Sequence, residues 1–88
     1  MILAVLVQPE EFFDFSNILN LTYRTATSPM VIYVRQVDDQ WLWDGFDTPT
    51  SIANSRTHLP IFTFSQFASF PSNVTLDYLQ SIYPEAFV

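Results

Sequence analysis

Cysteine and lysine are absent from this 88-residue chain, and glycine occurs once, at Gly45. Without cysteine there is no disulfide, thiolate nucleophile, Cys-ligated zinc or iron–sulfur cluster. A single glycine excludes the Gly-rich phosphate loops of nucleotide-binding folds and any Gly-rich linker. Positive charge is scarce as well. Only Arg24, Arg35 and Arg56 carry it, scattered along a chain of net charge -6, whereas tracking a phosphate backbone takes a cluster of cations. Nucleic acid is therefore not an expected partner. Charged residues total 14% against a usual ~25%, so the surface has to be weakly charged. The apolar opening run, Met1 to Val7, lacks a basic start and stops well short of the ~20 residues that span a bilayer. It reads as a buried strand, with no membrane insertion and a cytoplasmic location expected.

What the chain does hold is apolar and aromatic. Hydrophobic residues make up 49% and aromatic ones 17%, enough for one small core, so residues 1–88 are read as a single α+β domain. Pro9-Glu10-Glu11 looks like a helix start, with proline in the first turn and carboxylates at the positive end of the dipole. Phe12, Phe15, Ile18 and Leu19 would share the face of that helix. From Ile18 to Tyr23 a helical and a strand pattern compete.

The clearest element is a β-hairpin over residues 30–46. Val31 to Val37 is dense in β-branched and aromatic residues, Asp38-Asp39-Gln40 supplies turn chemistry, and Trp41 to Phe46 returns. Alternation puts Ile32, Val34, Gln36, Trp41 and Trp43 on one face. Val31, Tyr33, Arg35, Val37, Leu42, Asp44 and Phe46 fall on the other, with Arg35 and Asp44 placed for a cross-strand ion pair. Neither face is polar enough to be solvated, and a partner surface is the economical explanation.

Asp47 to His58 is polar, with Pro49 and five Ser/Thr, and reads as a loop. A short strand follows near 59–64, edge-like because Pro60 lacks an amide donor. Ser65 is then a candidate cap for a helical turn carrying Phe64, Phe67 and Phe70, and Asn73 for a last helix with Leu76, Leu79 and Ile82 as its stripe. The expected fold is a central antiparallel sheet, the hairpin plus strands near 1–7 and 59–64, with two short helices. Leu59-Pro-Ile-Phe-Thr-Phe-Ser-Gln-Phe67 resembles the strand-to-helix turn of the SseB-like accessory domains. It lacks the acidic pair expected after Ser65, and the likeness implies such a turn and nothing further.

Catalytic and metal chemistry find little support. His58 is the one histidine, and no motif surrounds it. Asp38, Asp39, Asp44 and Asp47 lack the order of a calcium loop. Glu10 and Glu11 are neighbours, which on a helix point about 100° apart and cannot act as a carboxylate pair. No cofactor, metal or catalytic residue is assigned. Interface cores favour Trp, Tyr and Phe over Lys and Glu, as this chain does. The expectation is a non-enzymatic accessory or regulatory protein binding another protein, or itself as a homo-oligomer, through Tyr33, Arg35, Trp41, Trp43, Asp44 and Phe46. A small-molecule or glycan platform on Trp41 and Trp43 is the alternative, and an acidic inhibitor or nucleic-acid mimic ranks below it.

Overall fold

A computed structural model describes residues 1–22, 25–47 and 59–87. Four strands form one sheet in the order β3-β2-β1-β4: β1 is Ile2–Val7, β2 Met30–Val37, β3 Gln40–Asp47 and β4 Ile61–Thr63. β1 to β3 are antiparallel as expected, but β4 joins β1 in parallel, so the sheet is mixed. β1 and β2 are the interior strands, and apolar residues are buried on both of their faces. Leu3, Val5, Val7, Ile32 and Val34 are buried with Phe62 of β4 on one face, and Ala4, Val31 and Tyr33 form a second, smaller cluster with Leu6 and Leu59 on the other. The two-sided hairpin thus has an internal explanation over most of β2.

Three short helices cover the first face: α1 (Phe12–Ile18), α2 (Phe64–Ala68) and α3 (Leu76–Ile82). A 3-10 turn over Pro9–Glu11 leads into α1, and the Glu11 carboxylate accepts the Gln8 amide at 2.9 Å. Phe12, Phe15 and Leu19 are buried as the spacing requires, whereas Ile18 lies on the margin, 42% exposed. The helix stops there because Asn20 turns left-handed, φ 58°. The Leu21 amide then donates to the Ser16 carbonyl and the Asn20 amide to that of Asn17, the paired bonds of a Schellman end. Residues 18–23 are thus neither a longer helix nor a strand as far as Thr22, and Tyr23 lies outside the described residues.

The two later caps fall elsewhere than expected. Thr63, not Ser65, caps α2: its hydroxyl accepts the Gln66 amide at 3.1 Å while the Gln66 side chain accepts the Thr63 amide at 2.9 Å. This is a reciprocal capping box. Thr75, not Asn73, caps α3 through the Tyr78 amide. On α3 only Leu79 is fully buried, and Leu76 and Ile82 straddle it with about half their surface open.

Gly45 sits at φ 126°, where a Cβ carries strain, and the β2–β3 register shifts beside it between Tyr33 and Val34. Gly45→Ala is expected to destabilise the fold by about 1–3 kcal/mol. Asn20→Gly should stabilise it by a few tenths to about 1 kcal/mol, so urea midpoints of the two variants move in opposite directions. A Gly45→Ala midpoint equal to wild type would show that the register does not depend on this backbone.

Candidate functional site at the open edge of the sheet

β3 ends the sheet on one side. A two-residue turn joins it to β2, with Val37 opposite Gln40 and Asp38 taking the left-handed conformation, φ 56°, which aspartate tolerates better than most residues. Trp41 stands opposite Gln36 and Trp43 opposite Val34, so both indoles project to the helix-covered face. Their situations differ. Trp41 packs edge-on against Phe67, centroids 5.3 Å apart, and also meets Phe70 at 6.4 Å. Trp43 is half-buried, and its ring neighbour is Phe46 at 6.0 Å.

That last contact corrects the expected face of Phe46. The register shift sets Tyr33 opposite Gly45 and Val34 opposite Trp43, leaving Asp44 as the extra residue of a β-bulge. One extra residue reverses the alternation beyond it. Phe46 consequently stands opposite Ile32, on the Trp43 side, and is 56% exposed. Arg35 stands opposite Leu42 and Asp44 lies within the irregularity, so the two are not direct cross-strand partners.

Tyr33 is 2% exposed, and its phenol donates to the Asp47 carboxylate at 2.6 Å. It is thus a support beneath the surface rather than part of it. Of the six residues singled out from sequence, Trp43 and Phe46 form an accessible pair, and Trp41, partly buried, shares their face of the sheet. Arg35 is exposed on the opposite face.

Beside Trp41, at the tip of the hairpin, a cleft of about 510 Å³ is lined by Ile18, Leu19, Asn20, Asp39, Gln40, Trp41 and Leu42. Trp41 and Leu42 project to opposite faces of β3, so a cleft touching both reaches round the strand's outer edge. Sequence reading missed its α1 wall, although Asn20 just after the last helical residue is a recognisable stop signal. Among the described residues no group of three or more His, Asp or Glu is placed to hold a metal ion, and no helix is long and apolar enough to cross a membrane. His58 and residues 48–57 of the polar loop lie outside the described residues, as do Arg24 and Arg56.

No protein-family model, curated protein or solved structure matches the chain.

Tyr33→Phe removes one hydroxyl from the second cluster without changing its shape. Losing this partly buried hydrogen bond to a carboxylate is expected to cost about 1.5–3 kcal/mol, measured as a lower urea midpoint. No change would mean that the Asp47 contact adds nothing net to stability.

Proposed function

We propose that this chain is a non-enzymatic accessory protein that acts by binding another protein, with Trp43 and Phe46 on the helix-side margin of β3 as its contact residues. One observation carries the reading: the bulge turns Phe46 outward beside Trp43 and leaves the larger part of its ring open. Large aromatic side chains, tryptophan among them, are prominent where protein interfaces draw most of their energy. The low charge of the chain supports the same reading, since interface cores are depleted in Lys, Glu and Asp. Phe13 of α1 and Tyr78 of α3 are exposed as well, so the choice of this margin rests on the Trp43–Phe46 pairing.

Phe46→Asp is expected to leave folding nearly intact, because exposed substitutions typically move stability by no more than about 0.5 kcal/mol. The association shown by the wild type in light scattering, or in affinity capture from the native source, should weaken at least about tenfold. A wild-type chain that stays monomeric at high concentration and retains the same proteins as the variant would sink the reading.

A second reading rests on the cleft, which Trp41 lines together with Asn20, Asp39 and Gln40. An aromatic platform ringed by amide and carboxylate groups suits a small polar ligand such as a saccharide. Because Trp41 lines this cleft, occupancy should shift its fluorescence. Titration with a panel of mono- and disaccharides that leaves the emission unchanged would remove this alternative.

A further inference from the structure

The backbone of β3 adds a feature that the side chains alone do not give. The Gln36 amide donates to the Met1 carbonyl at 3.0 Å, so Gln36 turns its backbone groups toward β1. Alternate residues of a strand address opposite neighbours. Arg35 and Val37 therefore face β3, and their partners Leu42 and Gln40 supply its inward-facing groups. Trp41 and Trp43 direct their N–H and C=O groups outward, and no described strand lies beyond them. The opposite edge is different in kind, since β4 has three residues, follows Pro60 and passes at once into α2. Exposed edges are commonly blunted by lysine, proline, bulges or brevity; Gln40 to Trp43 carries no lysine or proline, and the bulge after it leaves the edge short but open.

The geometry points to strand addition: we propose that Gln40 to Trp43 receives an extended, positively charged segment of a partner protein, hydrogen-bonded to the backbone of Trp41 and Trp43. The bulge at Asp44 bounds the docking length, because regular pairing stops there. Added side chains on the helix face would pack beside Trp43, and those near the tip would enter the cleft by Asp39. Charge selects the occupant. The chain carries -6 overall, Asp38 and Asp39 are exposed at the tip, and the one described cation, Arg35, belongs to the other face. A second copy carries the same net charge of -6 and is repelled, whereas a basic segment is attracted. The inference rests on the protein-binding reading and specifies its geometry and partner chemistry.

The test uses a synthetic peptide of alternating lysine and valine, with an alternating glutamate and valine peptide as control. Saturation with the lysine peptide should slow hydrogen exchange at the Trp41 and Trp43 amides at least about tenfold, and binding should weaken as salt is raised. The glutamate peptide should bind at least about tenfold more weakly. Trp43→Ala removes the ring and keeps the N–H; Trp43→Pro removes both, at an edge position where proline leaves the β2 ladder intact. The proline variant should bind at least about tenfold more weakly than the alanine variant. Amide protection in the wild type decides the question even if the proline variant fails to fold.

Binding without protection of these amides would overturn strand addition while leaving the Trp43–Phe46 surface standing as a protein contact. Concentration-dependent protection without peptide would assign the edge to a second copy and overturn the basic partner. Absence of binding, or equal binding of the two peptides, would overturn the inference as well. The protein-binding reading itself falls only if Phe46→Asp also leaves association unchanged.

Discussion

The fold depends on a layer of interlocked rings between the sheet and its helices. Isolated helices shorter than ~12–15 residues are marginal in water, and α1, α2 and α3 have seven, five and seven residues. They persist because rings tie them to the sheet and to one another. Phe62 of β4 meets Phe70 at 5.2 Å and Tyr83 at 5.7 Å, both nearly perpendicular, and Phe15 of α1 meets Phe67 of α2 at 5.8 Å. Tilted and edge-on pairs of this kind each add about 0.5–1.5 kcal/mol beyond the area they bury. In a chain without disulfides this layer takes the place of covalent staples.

The ring layer also divides the two tryptophans between fold and function. Trp41 spans the gap between β3 and α2, and displacing it would release the face of Phe67 against which it packs. A ligand that needed Trp41 to move would therefore work against the stability of α2. Trp43 packs against the core margin but makes no ring contact with a helix among the described residues, and its ring neighbour is Phe46, itself largely open. Spacing along a strand places both indoles on one face, but it cannot show which one the helices will claim.

Periodicity made the hairpin legible, including the shared face of Ile32, Val34, Gln36, Trp41 and Trp43, because period-two alternation survives uncertainty about the turn. It failed at Phe46, since one extra residue at Asp44 reverses every facing after it. The signal was present: the one glycine of the chain, inside a strand pattern, marks the bulge. Thr63-x-x-Gln66 was equally legible as a capping box and was missed in favour of Ser65. The larger misreading concerned Val31 and Tyr33, whose apolar side seemed to call for a partner. In the structure Val31 and Tyr33 are buried in a second small cluster to which Ala4 and Leu6 of β1 and the distant Leu59 contribute, and single-strand patterns do not encode contacts between segments so far apart. The side of the hairpin left open is the β3 edge, where the apolar surplus is smaller but no described strand pairs with the backbone of Trp41 and Trp43.

The bulge acts on that edge in two opposing ways. By kinking β3 at Asp44 and Gly45 it prevents a long flat edge, the usual route to uncontrolled aggregation. By reversing the facing of Phe46 it also places an exposed ring beside Trp43 at the end of the remaining regular stretch. A long unbroken edge would accept many strands without discrimination. A short one bounded by a kink, a pair of rings and an acidic tip constrains length, apolar contact and charge together. Specificity arises from meeting all of these at once, and a weakly charged chain with few polar side chains at this margin has few other means of achieving it.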